Sequence, residues 1–170
     1  MSETNYAITL EGAFDIRNAT VESVSRAVEQ FAGPQGPTYI IVQAADGSYV
    51  QAAGTEGRYV LESRDVYGEG FRHWRACRSS GPSGGKATIR YRRKCPKGEH
   101  PPRGCPLTVR REEVMSLAEV SAALVEFVAS GCRIDGITWR DVSEEFVGRA
   151  DEKEIQTIQP RARRSHDREE

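Results

Sequence analysis

The chain has 170 residues, 38% hydrophobic and 29% charged, which suffices for one ordinary domain with a hydrophobic core and leads us to expect poorly ordered ends. No run of eighteen apolar residues is present, so no membrane-spanning helix is expected, and the polar start Met1-Ser2-Glu3-Thr4-Asn5 lacks a signal peptide's apolar stretch, so a cytoplasmic location is expected. The net charge of −1 conceals a separation: residues 71–111 hold twelve Lys or Arg against one acid, Glu99, a local +11 that the remainder offsets with −12.

Tyr6 to Leu10 alternates apolar and polar residues and predicts a first strand. Asn18 or Thr20 then caps a helix whose apolar stripe is Val21, Val24, Val28 and Phe31, stopped by Gly33-Pro34-Gln35-Gly36-Pro37. Residues 38–63 read as three strands separated by Asp46-Gly47 and by Gly54 to Gly57. A two-residue type I′ turn at Asp46-Gly47 sets Ala45 opposite Ser48, Ala44 opposite Tyr49, Val42 opposite Gln51 and Ile40 opposite Ala53. Apolar groups then lie on both faces, Ile40 and Val42 on one and Ile41, Val50 and Ala52 on the other, so a helix is expected on each side.

A turn is predicted after Ser63, a strand over 71–78, a flexible Ser/Gly/Pro loop over 79–85 and an alternating strand over 88–93. A Pro-rich loop from Cys95 to Pro106 leads to a short strand at 107–109. Ser116 and Glu119 form a capping box, Met115 and Val120 a hydrophobic staple, and Gly131 the stop of a helix that buries Leu117, Val120, Leu124, Phe127 and Val128. A last strand at 137–139 and one helical turn follow, with Trp139 and Phe146 closing the core. The expectation is a single α+β domain over 1–148, a mainly antiparallel meander with two amphipathic helices, followed by a disordered charged tail over 149–170.

No stretch carries a catalytic signature. Gly81-Pro-Ser-Gly-Gly-Lys86-Ala-Thr88 fails as a phosphate loop, since Ser80 stands at the first glycine position, Ala87 follows the lysine, and a strand rather than a helix comes next. Gly-x-Ser-x-Gly and His-Glu-x-x-His are absent, and His73 between Phe71 and Trp74 reads as a core-edge residue. Tyr49, Tyr59 and Glu62 read as packing bodies with wet tips. Cys77, Cys95, His100 and Cys105 offer a zinc-type donor set without a zinc knuckle's two-residue spacing; free thiols are the default, with no cofactor, and zinc held by this set or an oxidisable Cys95–Cys105 pair are the alternatives. Cys132, beside the end of the second helix, is expected to be buried.

The basic segment is the remaining signal. Arg72, Trp74, Arg90, Tyr91, Arg92, Lys94, Lys97 and Arg103 form the candidate binding surface if the strands between 71 and 111 are neighbours. Such a set fits an acidic protein surface, or nucleic acid with Trp74 and Tyr91 stacking on bases. Equally, it can balance the chain's own acids at Glu22, Glu29, Glu119 and Glu126.

The run Asp46-Gly-Ser-Tyr-Val-Gln-Ala-Ala-Gly54, then Gly57-Arg-Tyr-Val-Leu-Glu62, His73-Trp74, the capped helix and Trp139 resemble small bacterial α+β immunity proteins, which accompany secreted toxins in polymorphic toxin systems. The likeness spans about residues 38–146. It implies a cytoplasmic, non-enzymatic protein that binds and blocks one partner, such as a cognate toxin, and it assigns no site residues; the arginines of the exposed strand add that an acidic face on that partner is the better complement. A nucleic-acid-binding module using the same cations is the alternative.

Overall fold

The computed structural model describes residues 5–11, 16–33, 35–79, 84–91 and 105–146, with Cys105 described for its backbone alone. Strands β1 (Tyr6–Leu10), β2 (Ile16–Arg17), β3 (Tyr39–Ala44), β4 (Tyr49–Thr55), β5 (Arg58–Tyr67), β6 (Gly70–Cys77) and β9 (Thr138–Asp141) make one sheet in the order β2-β1-β3-β4-β5-β6-β9, every pairing antiparallel. Strands β7 (Lys86–Tyr91) and β8 (Cys105–Arg110) form a separate two-stranded sheet. With helices α1 (Val21–Phe31) and α2 (Leu117–Ser130) this is a single-domain α+β fold, as the sequence predicts. No helix among the described residues is long and apolar enough to cross a membrane.

Both helices begin where their caps place them. Thr20, rather than Asn18, caps α1 and makes a reciprocal box with Ser23, while Ser116 and Glu119 do the same for α2. Met115 and Val120 are fully buried as the staple requires, and Gly131 closes α2 at φ 75°. The α1 stripe shifts by part of a turn: Ala27 joins Val24, Val28 and Phe31 inside, whereas Val21 is 41% exposed.

The β3–β4 hairpin corrects the predicted register by one residue. Ala44 N–H donates to Ser48 O (2.8 Å) and Gly47 N–H to Ala44 O (3.0 Å), enclosing three residues with Gly47 at φ 90°. This is the type I turn with a left-handed glycine that a three-residue loop uses. Val42 therefore faces Val50 and Ile40 faces Ala52. A one-residue slip turns a whole strand over, so Ile40, Val42, Val50 and Ala52 all share one face. Both helices cover that same face, in one core with Ile8, Leu61, Ala76, Phe31 and Leu124, not opposite faces as the two-sided pattern implied. The other face is covered in part by the β7–β8 hairpin, whose Ala87, Ile89 and Val109 pack on Val60, with Ala53, Leu107 and Val114 at the margin.

Two further boundaries differ from the reading of the sequence. β5 continues past Ser63 to Tyr67, and the chain turns at Gly68-Glu69 instead. Trp139 packs against the helix-side core, whereas Phe146 stacks on His73 on the opposite face. The tail over 149–170 lies outside the described residues.

Gly54 is where two backbones come too close for any side chain. Its φ is 146°, and a Cβ there would stand 2.1 Å from Arg58 O. Gly54→Ala is therefore expected to destabilise the protein by at least about 2 kcal/mol in urea unfolding, since strain and backbone displacement add.

Candidate functional site

Strand alternation sets a row of polar side chains across four strands on the sheet face turned away from the helices. Gln51 pairs with Glu62, Glu62 with Arg75, and Arg75 with Arg140. Two arginines opposite one another repel, and the chain resolves this by bringing in carboxylates from two 3₁₀ turns, Arg111–Glu113 and Ser143–Glu145. Arg75 donates through Nε to Glu62 Oε1 (2.8 Å) and lies 3.0 Å from Glu145 Oε2 and 3.8 Å from Glu113 Oε2. Arg140 donates through Nε to Glu113 Oε1 (2.8 Å) and through a terminal nitrogen to Glu145 Oε1 (3.1 Å). Glu113 also accepts the Arg110 backbone N–H at 2.9 Å and is 1% exposed.

Beside this network His73 is buried, stacked on Phe146 at 3.9 Å between ring centroids and edge-on to Tyr49 at 5.9 Å. Its Nε2 lies 3.5 Å from Glu62 Oε2, which takes a proper hydrogen bond from Gln51 Nε2 at 2.8 Å. Burial by itself would push the Glu62 carboxyl up; the His73 ring edge, the Arg75 guanidinium and the Gln51 amide outweigh it and hold the group at about 2. Burial and the Glu62 charge push the Tyr49 hydroxyl well up. A carboxylate so saturated with donors is a weak proton acceptor, and the arrangement fixes charges in place rather than presenting them.

The predicted cations thus divide. Arg75 belongs to the buried network, and Arg78 grips Glu119 of α2 through two hydrogen bonds, one of them at 3.0 Å, in keeping with the internal balance considered from sequence. Arg72 is exposed and stands opposite Asp65, on the helix side of the sheet. Trp74 shares that side and donates its indole N–H to Asp65 Oδ2 at 2.9 Å. Arg90 and Tyr91 lie on β7, on the opposite face, so the structure does not join them to Arg72 and Trp74. Arg92, Lys94, Lys97 and Arg103 lie outside the described residues.

The β7–β8 hairpin has its own outward face. Ala87 and Ile89 point into the domain, leaving Lys86, Thr88 and Arg90 exposed beside Pro106, Thr108 and Arg110, also exposed. Three of these six are cations and none is an acid. Lys86 stands directly opposite Arg110 in the ladder. Like charges so placed destabilise a strand pair by a few tenths of a kcal/mol up to about 1.

Of the zinc-type set, Cys77 is half-buried, its thiol pushed up by burial and by Glu113; Cys95 and His100 lie outside the described residues, and so does the Cys105 side chain. No group of three or more His, Cys, Asp or Glu placed to hold a metal occurs among the described residues. Cys132 is exposed rather than buried, because Gly131 turns the chain outward directly after α2. Sequence reasoning missed Glu113, Arg140 and Glu145, whose shared role depends on turns distant in the chain from Glu62. The one local hint was Glu62 itself, an acid ending the run Tyr59-Val60-Leu61.

No protein-family model matches the chain, and no curated protein matches it.

Proposed function

We propose that this protein is a non-enzymatic, immunity-like binding protein of the cytoplasm that neutralises a partner protein, engaging an acidic surface through the outward face of β7–β8 with Lys86, Arg90 and Arg110. The supporting observation is the Lys86–Arg110 pairing. A like-charged pair opposes the stability of the strands that carry it, and an acidic partner offsets that repulsion. The buried network agrees with this reading, since it makes the sheet beneath the hairpin a fixed platform, and a preorganised surface loses less on binding.

Nucleic acid is the weaker reading. Trp74, an aromatic that would stack on bases, lies on the other side of the sheet and is covered by Arg133. The two readings separate by experiment. Co-expression with the product of each neighbouring gene is expected to rescue growth from one toxic product, and Arg90→Glu with Arg110→Glu is expected to abolish that rescue while leaving the chain folded. Salt-sensitive retention on random-sequence DNA or RNA, lost in the same variant, together with no rescue, would replace this function with the alternative.

A further inference from the structure

At the β6–β9 edge, on the helix side, the sheet presents two indoles two residues apart along the ladder: Trp74 opposite Asp141, and Trp139 opposite Ala76. Arg133, from the segment after α2, lays its guanidinium over both, 4.1 Å from the Trp74 ring centroid and 5.7 Å from that of Trp139. Its Nη2 reaches Asp65 Oδ2 at 3.4 Å, the same oxygen that accepts the Trp74 indole N–H at 2.9 Å. Indole faces with an adjoining carboxylate attract a cation through the ring quadrupole and the full charge together, and a flat stack over indole beside a carboxylate suits a guanidinium better than an ammonium.

The resident guanidinium fits imperfectly. The Asp65 contact is long for a charge-assisted hydrogen bond, and Nη1 is buried with no hydrogen-bond partner. Burying a donor without a partner carries a penalty of about 1–3 kcal/mol. Rotation of the Arg133 side chain alone would vacate the site, because the adjoining backbone is held where Trp139 Nε1 donates to Ile134 O (3.4 Å).

The geometry points to a guanidinium-binding cage of Trp74, Trp139 and Asp65 that the protein occupies with its own Arg133 and that exchanges this occupant for an external guanidinium group. It is separate from the β7–β8 face, which lies across the sheet and receives the opposite charge. The sequence marks Trp74 and Arg72 as parts of an anion-binding surface; the side of the sheet that holds Trp74 receives cations instead.

The test uses the full chain with Arg133→Ala, titrated with methylguanidinium at constant ionic strength while the Trp74 indole N–H resonance is followed. Expected results are saturable binding, at least several-fold weaker binding of methylammonium, and at least tenfold weaker methylguanidinium binding to wild type, where Arg133 competes from within the chain. Adding Trp74→Leu is expected to abolish saturation. Gly-Arg-Gly and Gly-Lys-Gly distinguish sources: an arginine peptide that outcompetes methylguanidinium identifies a protein-borne arginine, and equal binding identifies a small guanidino compound. A folded Arg133→Ala chain that responds no differently from a salt control overturns the cage. A wild-type Trp74 resonance that stays fixed at every concentration preserving the fold overturns the exchange and leaves Arg133 a clamp. If Arg133→Ala fails to fold, Arg133→Met, which keeps the packing stem, serves in its place.

Discussion

Replacing Arg75 with methionine is expected to destabilise the protein by about 3–5 kcal/mol, because the change removes one partner of a buried ion network and strands the others. Glu62 loses its principal cation while staying 7% exposed, and among the described residues Glu145 and Glu113 keep Arg140 as their one remaining cation. Methionine fills most of the vacated volume, so the loss reads as electrostatic rather than as a cavity. Adding Glu62→Gln, which removes the stranded charge but keeps a side chain able to hydrogen-bond, is expected to recover part of it. Urea unfolding of wild type and the two variants at neutral pH measures both quantities. A single variant within about 1 kcal/mol of wild type would mean that water or rearrangement relieves Glu62.

Acid is expected to weaken the fold through the same carboxylate. Glu62 is held at about 2 against an ordinary 4.5, so the folded state binds its proton less readily than the unfolded chain. Its contribution is therefore complete above about pH 4.5 and is lost as pH falls through the folded value near 2. A shift of that size corresponds to about 3 kcal/mol at neutral pH, of which about 2 kcal/mol is gone by pH 3. Glu119, held near 2 chiefly by its hydrogen bond to Arg78, adds in the same direction, but it is partly solvated and counts for less. Unfolding free energies at pH 7 and pH 3 for wild type and Glu62→Gln isolate the term. Wild type should lose about 2 kcal/mol more than the variant over that interval; equal losses would assign acid sensitivity to other groups.

What could be read from the sequence was local. The capping box and staple of α2 sit within six residues of chain, and the helix forms where they place it. The strands of the 38–63 region were legible from their β-branched and aromatic content, but their register was not. Asp46-Gly47 suits a two-residue and a three-residue loop alike, since Gly47 takes a positive φ in either. The choice was settled by burying Val50 and Ala52 beside Ile40 and Val42 against two helices, a tertiary condition that no turn signal contains.

The candidate site followed the same division. Arg90 on an exposed alternating strand was readable by period, whereas Arg75, two positions from His73 in a similar pattern, is buried. Their fates differ because Glu113 and Glu145 arrive from 3₁₀ turns 38 and 70 residues beyond Arg75 to neutralise it. Local charge density therefore located the basic segment but did not say which of its cations hold the fold and which face outward. That partition separates the cation that locks the sheet, Arg75, from those left on the outward side of β7–β8, Lys86, Arg90 and Arg110.

The unfolding free energy of the free protein carrying Lys86→Glu tests this partition most directly. The substitution turns a repelling pair opposite Arg110 into an attracting one, so the isolated chain should gain between a few tenths and about 1 kcal/mol. A chain made less stable by the change would show that Lys86 serves the fold itself, and would contradict a β7–β8 face kept basic for a partner.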